Sequence, residues 1–195
     1  MTPAIFGCSG PVLTADERAF FRDADPAGYI LFARNCLDRD QLRALTDDLR
    51  GLHGRAQLLV SIDQEGGRVA RLRPPQWSAY PAGEAFARLY RIAPASAIQA
   101  ARLNARAMAL ELSAMGITVD YHPPLDLRLA GSHDVIGDRA FGEDPVQVAA
   151  IGRGVLEGLA EGGVAGCIKH MPGHGRSMVD SHREMPPVRE SAEEL

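Results

Sequence analysis

Five short runs, mostly apolar and not alternating, punctuate the chain at residues 4–7, 28–32, 58–63, 117–122 and 166–170. Continuous apolar runs of this length are expected of strands buried on both faces of a parallel sheet. Helical patterns lie between them. Thr14-Ala-Asp-Glu17 is a capping box that predicts a helix over residues 15–22. Asp38 can cap the next helix, on which Leu42, Leu45, Leu49 and Leu52 share one face. Pro94 opens a long helix with Ile98, Ala101, Ala105, Met108, Leu112 and Met115 along one side, and Gly116 stops it. Asp144-Pro145 starts a last helix that runs to Gly162-Gly163.

The order strand, helix, strand, repeated, predicts an α/β fold with parallel strands and right-handed crossovers. An open doubly wound sheet should carry a GxGxxG turn after its first strand, and none follows residues 4–7. Gly152, Gly154 and Gly158 fall inside a helical pattern and lack that spacing. A TIM-type (β/α)8 barrel fits better, because strand after strand ends in potential chemistry: Asp63, then His122 with Asp126, then Lys169-His170. A complete barrel takes ~250 residues and eight strands. The 195 residues here supply about the first five, so residues 1–195 are expected to be the N-terminal portion of a single barrel domain.

Composition narrows the partners. A net charge of −4 and the lack of a strongly basic cluster argue against nucleic acid. No apolar run approaches the ~20 residues of a membrane span, and residues 1–12 show no secretory signal. Cys8, Cys36 and Cys167 are far apart and odd in number. They are expected to be buried hydrophobes in a reducing cytosol rather than a disulfide framework or a metal site.

The densest candidate chemistry is Lys169-His-Met-Pro-Gly-His-Gly175 followed by Asp180-Ser-His182. An aspartate two residues before a histidine can accept from Nδ1–H, orient the ring and raise its basicity. A histidine so held can give a proton to a leaving oxygen and later take one from water. In Ser61-Ile-Asp-Gln-Glu-Gly-Gly-Arg-Val-Ala-Arg71, Asp63 ends a strand and Gly66-Gly67 turns the chain back to Arg68 and Arg71. That pairing suits bidentate bonding to vicinal hydroxyls, or else a structural ion pair across the turn. Arg139, in Val135-Ile-Gly-Asp-Arg139, is placed to reach the same site, while Asp138 and Glu143 suit the turn and the helix start. His122 and Asp126 could line the pocket floor or orient their neighbours.

The stretches GYILFARN, LLVSIDQEGGRVARL, VDYHPPLDL, VIGDRAFGEDP and IKHMPGHGRSMVDSH occur in this order over nearly the whole chain. The set closely resembles the bacterial β-N-acetylglucosaminidases of glycoside hydrolase family 3 that act in cell-wall recycling. KHxPGHG followed by DSH is its most specific element. The resemblance implies His182 as general acid/base with Asp180 as its dyad partner. It implies Asp63, Arg71, Arg139, Lys169 and His170 as the residues that hold the terminal sugar. It further implies a TIM-type barrel and a retaining exo-acting reaction. The substrate would be N-acetylglucosamine linked β to anhydro-N-acetylmuramoyl peptide. No metal or organic cofactor, a cytoplasmic location and a monomeric complete protein are implied as well. The family's nucleophile is an aspartate on a later strand, and nothing in residues 183–195 resembles that motif, so residues 1–195 alone are expected to be hydrolytically inactive.

Two other classes remain in view. His122, His170, His174 and His182 with nearby aspartates could ligate zinc in a metal-dependent barrel hydrolase, although HxH and HExxH are absent. A non-catalytic sugar-binding half barrel is the non-enzymatic alternative.

Overall fold

The computed structural model describes residues 1–195 except 131, 132, 172, 176, 178, 181, 182, 186, 188–190, 192, 194 and 195. Five parallel strands are present among the described residues: β1 (Thr2–Gly7), β2 (Pro26–Leu31), β3 (Leu59–Ile62), β4 (Val119–Asp120) and β5 (Ala165–Gly166). They lie side by side in chain order, β1-β2-β3-β4-β5. A doubly wound sheet would reverse its order at a switch point. Here the order never reverses, as in the wall of a barrel.

The helices begin and end for the reasons their sequences suggest. α1 (Ala15–Ala24) starts with Thr14 Oγ1 accepting from the Glu17 amide at 3.1 Å and Glu17 accepting from the Thr14 amide at 2.9 Å. α2 (Arg39–His53) is capped by Asp38 Oδ1 on the Gln41 amide at 2.8 Å and ends at Gly54 in the left-handed region. α4 (Pro94–Ala114) and α5 (Pro145–Glu161) each begin on a proline, and Asp144 Oδ1 caps α5 through the Gln147 amide at 2.8 Å. One element goes beyond the predicted order: α3 (Gly83–Tyr90), between β3 and α4. It has only eight residues and its N-cap, Ala82, makes no side-chain hydrogen bond, so the sequence carries no start signal for it.

Strand residues Tyr29, Leu31, Val60 and Ile62 are fully buried. The leucines of α2 cover one part of the sheet, with Leu42 and Leu49 fully buried and Leu52 only packed at the rim. Met108 and Leu112 of α4 join Val155 and Leu159 of α5 in the same core. The cysteines are all free, but only Cys8 is buried. Cys36 and Cys167 are half-buried, Cys36 packing against the edge of the core from the turn after β2 and Cys167 lying just past the end of β5. No described helix is long and apolar enough to cross a membrane.

The register sets the site. Leu31 pairs with Ile62, Ile62 with Asp120 and Asp120 with Gly166. Residues just past that row therefore emerge together at the carboxyl end of the sheet: Asp63 after β3, Tyr121 and His122 after β4, and Cys167 to His170 after β5.

Candidate active site

Gln64, 1% exposed, organises the loop after β3. Its Nε2 donates to the Leu72 carbonyl at 2.9 Å, and its Oε1 accepts from the amides of Arg71 at 2.8 Å and Leu72 at 3.0 Å. Between these limbs the chain reverses at Gly66 and Gly67, whose φ values of 96° and 55° disfavour L side chains. The reversal returns Arg71 over Asp63, where Nη2 donates to Oδ2 at 3.2 Å.

Arg68 turns away from Asp63. It pairs with Asp138 Oδ1 at 2.8 Å and donates to the carbonyls of Asp134, Val135 and Ile136. Its task is to fasten the segment that carries Arg139. A second fastening is steric: a Cβ on Gly83 would lie 2.2 Å from the Arg139 carbonyl oxygen, so α3 can start against that backbone only with glycine there.

Arg139 then meets Glu65 in a two-pronged pair, Nε to Oε2 at 2.9 Å and Nη2 to Oε1 at 2.8 Å. The side chains are 10% and 4% exposed. Lys169 arrives from beyond β5, steadied by a parallel bridge between its backbone and Pro124. Its Nζ lies 2.9 Å from Asp63 Oδ1 and 2.6 Å from Glu65 Oε1. His170 Nδ1 lies 2.6 Å from Asp126 Oδ2, and its Nε2 lies 3.4 Å from Arg139 Nη2. A guanidinium can only donate, so Nε2 accepts and Nδ1 carries the proton given to Asp126. Asp126 Oδ1 also accepts from the His174 amide at 2.6 Å. The five residues expected to hold sugar, Asp63, Arg71, Arg139, Lys169 and His170, are thus joined into one chain of polar contacts through Glu65, which links Lys169 to Arg139.

Electrostatics fix the charge states. Burial pushes the Glu65 carboxyl up, but Arg139 and Lys169 outweigh it and hold Glu65 below the ordinary range. Asp126 behaves alike: burial raises it, and the bonds from His170 and the His174 amide bring it down. His122, 3% exposed, is pushed down to about 4 by burial, with Glu65 raising it and Lys169 and Arg139 lowering it further. It stays a neutral ring packed against Phe141.

Asp180 is half-buried, and its carbonyl accepts from the amides of Arg183 at 2.9 Å and Glu184 at 3.0 Å in a turn. His182 lies outside the described residues. Among the described residues, no three His, Cys, Asp or Glu side chains gather as metal ligands. Sequence reasoning missed Glu65 and Asp120. Glu65 was detectable, since residues two apart on an extended segment point to the same side and Asp63 was already singled out. Asp120, at the end of β4 and 0% exposed, looks in sequence like any strand position.

A sequential parallel sheet with helices outside it and a charged, hydrogen-bonding cluster at its carboxyl end defines a TIM-barrel-type α/β domain with a polar ligand site. The family model described as the glycosyl hydrolase family 3 N terminal domain matches residues 12–195, and the chain belongs to that family. A β-hexosaminidase of Aromatoleum aromaticum is 40% identical over 185 residues, covering 94% of this chain and 51% of that protein. One of Bordetella avium is 41% identical over 184 residues, covering 94% and 52%. The crystal structure of NagZ from Neisseria gonorrhoeae in complex with N-trifluoroacetyl-D-glucosamine superposes with a TM-score of 0.93. It is 35% identical, over 99% of this chain and 56% of that one. The chain spans about half the length of the curated relatives it matches.

Proposed function

We propose that residues 1–195 are the N-terminal portion of a single (β/α)8 catalytic domain. The complete protein would be a retaining exo-β-N-acetylglucosaminidase that releases terminal N-acetylglucosamine from anhydromuropeptides during peptidoglycan recycling in the cytoplasm. The observation that supports it most is the chain Arg71–Asp63–Lys169–Glu65–Arg139–His170–Asp126. It presents alternating acceptors and donors at the sheet's carboxyl end, in a family 3 domain similar to proteins named β-hexosaminidase.

In this reading Asp63 accepts from sugar hydroxyls while Lys169, Arg71, Arg139 and His170 donate to, or orient groups against, the same ring. Asp63 lies between two cations, Arg71 on Oδ2 and Lys169 on Oδ1, so a sugar hydroxyl can displace one and leave the other in place. His182, with Asp180 as its proposed dyad partner, protonates the glycosidic oxygen as a carboxylate from a later strand bonds to the anomeric carbon. Water then replaces the carboxylate and gives its proton to the same imidazole, so the anomeric configuration is retained.

The test is hydrolysis of a chromogenic N-acetyl-β-glucosaminide by the product of the complete reading frame, with the anomer followed by NMR. Turnover with retention is expected, falling by roughly 10²–10⁴-fold in the His182→Ala variant. Residues 1–195 alone should give none. Unchanged turnover in His182→Ala, or turnover by residues 1–195, rejects the reading.

A further inference from the structure

We propose that Asp120 is a positioning residue for the carboxylates Asp63 and Glu65, acting from beneath the site through the backbone amide of Gln64. The Asp120 side chain is 0% exposed, and its Oδ1 accepts from the Gln64 amide at 2.9 Å. Gln64 sits between the two carboxylates, so this bond fixes the peptide planes on either side of it. Together with the three bonds of the Gln64 side chain, it holds residues 63–65 in the geometry that presents Asp63 and Glu65 to Lys169.

The charges around Asp120 indicate the form in which it works. Lys169 is shared by Asp63 and Glu65, Arg139 is taken by Glu65, and Arg71 lies on Asp63. Counting Asp63, Glu65 and Asp126 against Lys169, Arg139 and Arg71, acids and bases already balance. No cation is within hydrogen-bonding distance of Asp120 among the described residues, and Oδ2 is buried without a partner. An ionised carboxylate there would be a buried charge with one hydrogen bond, which is strongly unfavourable. Burial raises its pKa well above the ordinary range. The Gln64 amide and Lys169 oppose this, and Glu65 and Asp63 add to it. Asp120 is therefore a neutral acid whose carbonyl oxygen faces Gln64. A neutral prop leaves Lys169 fully available to the two site carboxylates. An anion in its place would compete for that ammonium.

The sugar-holding role of Asp63, and of the cations that Glu65 orders, rests on the glycosidase reading. The protonation and the Gln64 contact do not, so the experiment reads both. Asp120→Asn keeps a carbonyl facing Gln64 without a charge, and Asp120→Ala removes it. In the complete protein the infrared spectrum near neutral pH should contain a protonated-carboxyl stretch that disappears in Asp120→Asn. The Gln64 amide proton resonance should be retained in Asp120→Asn and shift in Asp120→Ala. In the complete protein, Asp120→Asn should keep KM for the chromogenic N-acetylglucosaminide, whereas Asp120→Ala should lose about tenfold to a hundredfold in kcat/KM. If Asp120→Ala does not fold, the Asn variant decides alone. Absence of the protonated-carboxyl band, or a KM raised as far by Asn as by Ala, overturns the proposal. If the complete protein lacks hydrolysis while the band and the Gln64 shift behave as stated, the glycosidase reading falls and the buried acid stands.

Discussion

Replacing Glu65 by glutamine tests the central pairing most directly. The carboxylate is 4% exposed and serves two cations, Arg139 at 2.8 Å and Lys169 at 2.6 Å, themselves 10% and 13% exposed. At an effective dielectric of ~20, each contact carries roughly 6 kcal/mol of Coulomb attraction, a ceiling from which desolvation must be subtracted. Glutamine keeps the shape and one acceptor but removes the carboxylate the two cations share: Lys169 keeps its pair with Asp63, and Arg139 is left with only the longer-range charges of Asp126 and Asp63. Breaking a buried pair from one side costs about 3–5 kcal/mol. For a chain of this size that corresponds to a fall of roughly 6–20 °C in Tm, or about 1–2 M in the urea midpoint with an unchanged slope. The assay is equilibrium urea unfolding of wild type and Glu65→Gln at low and high salt. The loss should survive high salt, because the pair is shielded from screening ions. Arg153→Ala, which removes an 82%-exposed partner of Glu157, should barely move the midpoint and serves as a control. A Glu65→Gln protein within about 1 kcal/mol of wild type would refute the claim that this cluster is a tightly coupled buried network.

His122 should make the protein acid-sensitive. Its ring falls from an ordinary value of 6.5 to about 4, so the unfolded chain binds a proton between those values that the folded chain refuses. Stability contributed by the neutral ring is complete above pH 6.5 and drains away toward pH 4, by about 3 kcal/mol in all. In His122→Leu the slope of unfolding free energy between pH 6.5 and 5 should fall below that of wild type by up to about 1.4 kcal/mol per pH unit; Asp120, protonated when folded and ionised when unfolded over this range, adds an opposite slope to both proteins, so the difference between them is what is read, and equal slopes would contradict this. Two glycines should respond in opposite directions. A Cβ on Gly158 of α5 would lie 2.1 Å from the Arg102 carbonyl of α4, so Gly158→Ala should cost about 1–3 kcal/mol despite better helix propensity. Gly51 of α2 has nothing within 4 Å of its Cβ position, and Gly51→Ala should gain about 0.5–1 kcal/mol, both read from urea midpoints.

What the sequence determined by itself was local. The capping box at Thr14–Glu17, the Asp38 and Asp144 caps and the prolines at 94 and 145 each act within four residues, so their helices were legible. The short apolar runs announced buried parallel strands, and the polar residues singled out at their ends converge in one hydrogen-bonded cluster. α3 escaped because it lacks a side-chain cap. The glycines of α5 showed in sequence only that they lacked a dinucleotide-loop spacing; in the fold Gly154 and Gly158 admit the close approach of α4, and Gly152 makes room for Leu125. The partners within the site were decided by tertiary structure alone. Lys169 reaches Asp63 across 106 residues, and Arg139 reaches Glu65 across 74. Which carboxylate meets which cation depends on the β3–β4–β5 register and on where the loop fastened by Arg68 and Gly83 comes to rest. Asp120 is the extreme case: one residue in a two-residue strand becomes an uncharged acid because the fold removes water from it and gives every nearby cation to another partner. Charge state follows from surroundings that chain order does not encode locally, and so could not be read before the chain was folded.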